Sequence, residues 1–335
     1  MAEFLLEILS EEIPARMQAR AAADLKRLVT DKLKAARLDF DRAEAFVTPR
    51  RLALVVDGLP IRQPDITEAR KGPRVGAPDR AIQGFLKSAG LDSLDQCEIR
   101  EVKGNEFYFV VREMAGGTTA DVLAGFLPDC IARLPWPKSM RWRESVQTFV
   151  RPVHGVVARF DGQTLAGQVD FGGGVALPFG QTTRGHRFLA PEPLEVASFE
   201  DYQAKLRNAF VVLDPAERRE IIAEQAAERA MAAGVAVKDD PALLDEVTGL
   251  VEWPEVLVGA IDDDFMDLPD EVLETSMRSH QKYFSCLDAD GRLANRFLVV
   301  ANMPAPEGSK IRANIVAGNE RVLRARLADA RFFWD

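Results

Sequence analysis

Short apolar runs alternate with segments of helical periodicity along the chain, and this mixture constrains the fold more than any other feature. Phe4 to Leu9 is a short apolar run, and large apolar or alanine side chains recur at every fourth residue from Met17 to Leu33. The first pattern predicts a buried strand and the second an amphipathic helix. Asp214-Pro215 followed by Glu217 predicts a capped helix that runs to about Gly234. The sequence therefore predicts an α+β protein with mixed sheets and packed helices.

Glycine, asparagine and proline divide these elements. Gly104-Asn105 and Asp161-Gly162 each separate two apolar runs, which predicts two hairpins. Gly90 is placed to end a short helix over 81–89. The stretch 59–78 is rich in proline, glycine and arginine, and it predicts a loop.

A chain of 335 residues of which 47% are hydrophobic can form two or more domains. Between 134 and 151, tryptophans, prolines and basic residues interrupt the regular periodicity. We therefore predict an N-terminal α+β domain over 1–135, a central α+β domain over 136–310, and a helix over 311–335. On a helical wheel of that last segment, Leu323 and Leu327 face the core, and Arg326 is expected to form a half-buried ion pair with Asp329.

The formal net charge of -9 disfavours a protein that coats nucleic acid through its overall field. Basic residues are nevertheless concentrated locally, as at 133–151 and 310–331, whereas 262–274 contains only acidic charges. The chain has no apolar run long enough to span a bilayer and no signal peptide at its start, so we expect a cytoplasmic protein without membrane contact. The three cysteines are far apart and are expected to be reduced.

The motifs of several enzyme classes are missing from the sequence. The only glycine cluster, 172–174, is not followed by the Gly-Lys-Ser/Thr of a Walker loop, and no Gly-x-Ser-x-Gly elbow occurs. Histidines and cysteines are too scattered for a zinc site. We therefore expect no catalytic residue, metal site or ATP site on this chain.

Four compact clusters combine basic and aromatic or amide side chains, at 48–53, 136–142, 185–188 and 280–284. Such clusters can hold phosphates and stack on unpaired bases, although each ring could equally belong to the core. The arginines of the last helix could likewise meet RNA or water. The candidate RNA-contacting residues are Arg50, Arg51, Lys138, Arg141, Arg184, His186, Arg187, His280, Gln281, Lys282, Tyr283, Arg321 and Arg324.

These motifs, in this order, resemble the β subunit of bacterial glycyl-tRNA synthetase over the whole chain. The segments that carry the resemblance are Glu-Ile-Leu-Ser-Glu-Glu-Ile-Pro at 7–14, Thr-Pro-Arg-Arg-Leu-Ala at 48–53, Trp-Pro-Lys-Ser-Met-Arg-Trp at 136–142, Gly-His-Arg-Phe at 185–188, Leu-Val-Glu-Trp-Pro at 250–254, Met-Arg-Ser-His-Gln-Lys-Tyr-Phe at 277–284 and the helix from Gly318. Leu9-Ser10 departs from the Gly-Thr usual in the family, and the segment 73–85 is shorter than the insert often found there.

The resemblance implies a subunit of glycine–tRNA ligase in an α2β2 heterotetramer. In that assembly the α subunit uses ATP and magnesium, and the β subunit contributes binding of tRNA(Gly) with no cofactor of its own and no contact with DNA. The resemblance also implies an HD-like domain and an anticodon-binding domain beyond residue 335.

Two other functions remain open at this point. Part of the chain resembles, more weakly, the editing-type domain of the phenylalanyl-tRNA synthetase β subunit, which implies hydrolysis of mischarged tRNA that depends on His280. Editing is less needed for glycine, because a tight pocket excludes every larger amino acid by overlap. A pure assembly scaffold is the other alternative.

Overall fold

The computed structural model describes residues 2–334, which contain eight α-helices and sixteen β-strands. The helices are α1 (Ala15–Ala35), α2 (Asp79–Ala89), α3 (Thr119–Ala132), α4 (Phe199–Asn208), α5 (Pro215–Ala232), α6 (Pro241–Thr248), α7 (Asp270–Thr275) and α8 (Lys310–Trp334), with 3₁₀ turns at Leu94–Gln96 and Asp263–Phe265 and a π-helical turn at Ser276–Gln281. The strands are β1 (Ala2–Ser10), β2 (Arg42–Thr48), β3 (Arg51–Leu59), β4 (Ile66–Arg74), β5 (Glu98–Val102), β6 (Asn105–Met114), β7 (Val153–Phe160), β8 (Gln163–Thr164), β9 (Gln168–Asp170), β10 (Ala176–Gly180), β11 (Thr182–Arg184), β12 (Pro193–Glu195), β13 (Ala236–Val237), β14 (Pro254–Ala260), β15 (Phe284–Leu287) and β16 (Leu293–Asn302). This is the α+β class that the sequence predicted.

The first sheet has seven strands in the order β2-β3-β1-β7-β10-β9, with β8 paired to β7. β1 lies inside the sheet, antiparallel to both β3 and β7. Leu6 faces the core that α1 and α3 complete, and Leu5 faces a second core formed with α4. Because β1 is buried on both faces, its apolar run is continuous instead of alternating.

The domain boundary predicted near residue 135 runs through this sheet. β7 lies beyond that boundary, yet it pairs with β1 along its length, and Phe149 and Phe171 belong to the same core as Leu25. Residues 1–135 alone would leave one edge of β1 unpaired. The first structural unit therefore continues at least through β10.

A small unit over 66–114 is inserted between β3 and α3. Its three strands have the order β4-β6-β5, and α2 packs on one face through Phe85 and Ala89. The hairpin and α2 were correctly predicted, and Gly90 ends α2 at a φ of +65°. The predicted loop over 59–78 is wrong, because β4 lies within it. β4 is an edge strand, where Gly72-Pro73 is tolerated at an irregularity in the pairing with β6.

The second sheet has the order β13-β15-β16-β14 and is covered on both faces. Leu298 faces a core with α5 and α6, whereas its neighbour Phe297 faces a core that includes α8. α5 begins as predicted, with the Asp214 carboxylate accepting a hydrogen bond from the amide of Ala216 at 2.8 Å. The sheet is therefore a two-sided layer, with helices on both faces.

α8 contacts the second sheet along a narrow stripe. Leu323 and Leu327 are buried as predicted, but Phe333 is 86% exposed. Arg326 is exposed and takes part in no ion pair among residues 2–334, so the predicted pair with Asp329 is wrong. Most of the circumference of α8 faces solvent. Water therefore solvates the Arg326 guanidinium beside the apolar stripe, and no ion pair is needed to stabilise it.

Across residues 2–334, no helix is both long and apolar enough to cross a membrane. The same range contains no group of three or more His, Cys, Asp or Glu side chains arranged to hold a metal ion. Cys130 and Cys286 are buried free thiols, and Cys97 is a half-buried one. None of these three thiols forms a disulfide within residues 2–334.

Candidate nucleic-acid interface

Arg51, the first residue of β3, lies where four distant parts of the chain meet. Its Nη1 donates to Oε2 of Glu7 at 3.2 Å and to the carbonyl oxygen of Arg184 at 3.0 Å. Its Nε donates to Oε1 of Glu252 at 3.1 Å. These residues come from the motifs that begin at 7, 48 and 250, together with the residue just before the motif at 185. Three of the sequence motifs, and the residue next to a fourth, thus meet in one cluster.

This buried ionic cluster consists of Glu7, Thr48, Arg51, Thr183, Tyr202 and Glu252. The Thr48 hydroxyl donates to Glu252 at 2.6 Å and the Thr183 hydroxyl donates to Glu7 at 2.5 Å. The Tyr202 hydroxyl also donates to Glu7. Both carboxylates are therefore held by hydrogen bonds from neutral groups as well as by the guanidinium.

The cluster keeps its charges because the partners outweigh burial. Burial lowers the pKa of Arg51, but the carboxylates of Glu252 and Glu7 raise it above its ordinary value. Burial raises the pKa of Glu252, yet the charge of Arg51 and the hydrogen bond from Thr48 hold it below its usual range. The ion pair therefore persists at neutral pH.

Arg218, in α5, makes a second buried link between the two main sheets. Its Nη1 donates to the carbonyl oxygens of Val212 and Leu213 at 2.7 and 2.9 Å, and its Nη2 donates to that of Val47 in β2 at 2.7 Å. Burial lowers the pKa of this guanidinium to about 10, so it is still charged at pH 7. Arg218 attaches α5 to the edge strand β2. The ionic cluster attaches the segment before β14, through Glu252, to the start of β3.

Three of the predicted RNA-contacting residues are inside the protein. Arg51 is 0% exposed, His186 is 1% exposed and Tyr283 is 2% exposed. Tyr283 stacks on Phe297, with 4.6 Å between ring centroids, and donates to Asn319 at 2.6 Å. Burial raises the pKa of Tyr283 to about 12. In this structure no RNA could reach these three side chains, so their contribution is to the fold.

His186 shapes the loop 185–192, which joins β11 to β12. Its amide donates to the carbonyl oxygen of Ala209 at 2.9 Å, and its Nδ1 accepts from the amides of Phe188 and Leu189 at 3.4 Å. Burial lowers the pKa of His186, which favours the neutral ring that these contacts require. Because the loop is anchored in this way, Arg187 and Phe188 are directed outward.

The surface above the buried cluster combines cations with one exposed ring. Phe188 is 77% exposed, and the Arg187 guanidinium lies 5.2 Å from its ring centroid. Arg184 is exposed, and Arg50 is half-buried. We call Arg50, Arg184, Arg187 and Phe188 the loop surface. It offers guanidinium groups to phosphates and a ring face to a base.

Acidic neighbours reduce the positive charge of the loop surface. Arg187 lies 3.6 Å from Glu11 and 3.1 Å from Glu12, and His154 Nε2 lies 2.8 Å from Glu11 Oε1. Burial raises the pKa of Glu11, but the hydrogen bond with His154 and the charges of Arg50 and Arg187 lower it overall. A phosphate would therefore compete with carboxylates for Arg187, while the Arg184 guanidinium, among residues 2–334, binds only the carbonyl oxygen of Pro191.

The other predicted residues lie at three separate places. Lys138 and Arg141 are exposed on the segment 135–149, whose tryptophans pack edge-on against Phe149 and Phe171 and so belong to the core. His280, Gln281 and Lys282 follow one another at the π-helical turn, where Lys282 has a φ of +61° and pairs with Glu246 at 3.0 Å. Arg321 and Arg324 are exposed on α8, and Arg324 pairs with Asp262.

The sequence prediction missed the residues that hold this region together. Glu7 is the only charge in the apolar run at 4–9, and Glu252 stands between Val251 and Trp253. An isolated charge inside an apolar run is the signal of a buried, paired group. That signal was present in the sequence, but it did not reveal which groups pair.

Gly185→Ala is expected to destabilise the chain by about 1–3 kcal/mol, because the added methyl group overpacks the loop. Its Cβ would lie 2.4 Å from the Cβ of Ala209 and 2.8 Å from the Ala209 carbonyl oxygen. The urea midpoint of unfolding measures the effect. Gly155→Ala is the matched control, since its Cβ has no heavy atom within 4 Å. Equal midpoints for the two variants would contradict this packing.

Comparison with known proteins gives a consistent similarity over the whole chain. Residues 4–335 match the model of the family described as "Glycyl-tRNA synthetase beta subunit". The chain is 53% identical over 354 aligned residues to the glycine–tRNA ligase beta subunit of Rhodospirillum centenum, and 48% identical to those of Ruegeria sp. and Paracoccus denitrificans. The alignments include 100% of this chain and 48–49% of each relative, so the chain spans about half the length of the curated relatives it matches.

Proposed function

The chain belongs to the family of glycyl-tRNA synthetase β subunits, and from this premise we propose that it contributes tRNA binding and subunit assembly to the ATP-dependent attachment of glycine to tRNA(Gly). The single observation that carries the proposal is the continuous family match over residues 4–335. On this proposal the protein acts in the cytoplasm with an α subunit, in an α2β2 assembly, and the α subunit uses the ATP and magnesium.

The loop surface supports the tRNA-binding part of this proposal. Arg184 ends β11, where its carbonyl oxygen accepts a hydrogen bond from Arg51 of the buried ionic cluster. Arg187 and Phe188 follow on the loop that His186 anchors, so the core of the protein holds the backbone that carries all three. Rigid support reduces the entropy lost when a side chain binds a phosphate or a base. The loop surface is thus a preformed contact point on a chain whose overall charge is negative.

The carboxylates of the buried ionic cluster serve the structure and have no role in the proposed chemistry. Glu7 and Glu252 are 1% and 2% exposed, and each accepts hydrogen bonds from Arg51 and from at least one hydroxyl. A general acid or base must reach the atom with which it exchanges a proton. Neither carboxylate is in contact with a surface that a substrate could occupy.

The proposal is tested with the purified chain and with its complex with the α subunit. The chain alone is expected to bind tRNA(Gly) with an affinity that falls steeply as salt concentration rises, and to show no ATP–pyrophosphate exchange. The complex is expected to show that exchange. Exchange activity of the chain alone would contradict the division of labour. Affinity for tRNA(Gly) no greater than for double-stranded DNA of similar length would contradict the tRNA-binding role.

A further inference from the structure

The three-stranded sheet of the small unit has one face that α2 does not cover. Paired residues in antiparallel strands point to the same side, so the register assigns each side chain to a face. Val110 faces α2, together with its partner Arg70, which donates to the Ser88 carbonyl oxygen on that helix. Phe107 and Phe109 therefore point to the opposite, open face.

Three cations and one carboxylate flank the two phenylalanines on the open face. In the sheet register Phe109 lies between Lys71 and Glu98, and Phe107 lies between Arg74 and Arg100. The Lys71 ammonium lies 3.5 Å from the centroid of the Phe107 ring, and the Arg100 guanidinium lies 5.5 Å from that of Phe109. Both rings are half-buried, and all three cations are exposed.

We propose that this open face, formed by Lys71, Arg74, Arg100, Phe107 and Phe109, binds an unpaired segment of tRNA by stacking bases on the two rings. The proposal rests on the tRNA-binding function proposed above and adds a second contact site to it. Rings two residues apart on a strand are separated by about 7 Å, so each can take its own base. Aromatic pairs on an open sheet are a general means of binding single-stranded RNA.

The charges on this face favour RNA over a protein partner. Lys71 and Arg74 enter none of the ion pairs found among residues 2–334, so no carboxylate competes with a phosphate for either charge. Arg100 pairs with Glu98 at 2.7 Å, and its role is to extend the flat surface beside Phe109. Lysine is depleted in the cores of protein–protein interfaces, whereas it is a regular phosphate ligand.

Two pairs of substitutions separate the stacking from the charge contribution. Phe107→Leu with Phe109→Leu keeps apolar side chains in the sheet but removes both ring faces, and a loss of affinity of roughly 30-fold or more is expected. Lys71→Gln with Arg74→Gln is expected to reduce the slope of log affinity against log salt by roughly 1.4. Lys87→Gln is the charge control, because Lys87 is exposed on α2, on the other side of the sheet.

The experiment uses the whole chain, with labelled tRNA(Gly) and a labelled ten-nucleotide single-stranded RNA as probes in fluorescence anisotropy. Circular dichroism melting establishes that each variant is folded. Ultraviolet crosslinking of either probe is expected to label β6 in the unsubstituted chain and not in the leucine variant.

Unchanged affinity of the folded leucine variant for both probes would overturn this proposal while tRNA binding itself stood. If the unsubstituted chain bound only the ten-nucleotide RNA, the tRNA-binding function and the tRNA contact at the open face would both fail. Loss of that short RNA in the leucine variant would then leave the open face as a site for single-stranded RNA only. Loss of α-subunit binding with unchanged RNA affinity would identify the face as a protein interface and overturn the proposal.

Discussion

Arg51→Met is expected to lower the free energy of unfolding by about 3–5 kcal/mol, because it leaves the carboxylates of Glu7 and Glu252 buried without their cation. Arg51 is 0% exposed, and no water can replace its guanidinium without a change in the packing of β1 and β3. The urea midpoint at pH 7 measures the loss. Arg27→Met is the control, since Arg27 pairs with Asp24 at the surface and its side chain is 56% exposed.

The pH dependence of the same variant gives a second measurement. In the unsubstituted chain the pKa of Glu252 is lowered below 4.5, so its stabilising contribution is present above that pH and is lost as pH falls through the lowered pKa. Without Arg51, burial favours the protonated carboxyl group of Glu252. The deficit in stability, meaning the unfolding free energy that Arg51→Met loses relative to the unsubstituted chain, is therefore expected to be smaller at pH 4 than at pH 7. A deficit that is equal at both pH values, or an unchanged midpoint at pH 7, would show that Arg51 does not stabilise the carboxylates.

Local patterns in the sequence predicted local structure well. The capped start of α5, the glycine at the end of α2 and the hairpin of β5 and β6 all depend on residues within a few positions of one another. Each of these features can be read from a short window because backbone geometry and capping bonds are local.

Long-range pairing was not predictable in the same way. The pairing of β7 with β1 joins residues about 150 positions apart, and no local pattern at 134–151 reveals it. β4 was missed because its sequence is polar and contains Gly72-Pro73, and only its edge position next to β6 makes it a strand. Strand formation depends on the neighbouring strands more than on the strand's own residues.

The candidate site shows the same division between local and long-range information. Arg50 and Arg51 are adjacent and chemically identical, yet Arg50 is half-buried and Arg51 begins β3 with its side chain fully in the interior. The sequence located the basic clusters, but it could not tell which cations are paired inside the protein. The carboxylates that decide this, Glu7 and Glu252, are 44 and 201 positions from Arg51.

Combined substitution of the loop surface, as Arg184→Gln, Arg187→Gln and Phe188→Ala, is expected to reduce the affinity of the whole chain for tRNA(Gly) by about 10- to 100-fold at physiological salt. Loss of one stacking ring accounts for about 1–3 kcal/mol of binding free energy. Loss of two phosphate contacts is expected to reduce the salt slope by roughly 1.5–2. Anisotropy titrations at several salt concentrations measure both quantities.

The matched control removes the same two charges elsewhere, as Arg20→Gln with Arg27→Gln on α1, where both arginines pair with Asp24. The loop variant should remain folded, because Phe188 is 77% exposed and His186, which anchors the loop, is unchanged. If both variants lost affinity equally, tRNA would be responding to the overall field of the protein. Since that field is negative, with a net charge of -9, only a local site can account for a selective loss in the loop variant.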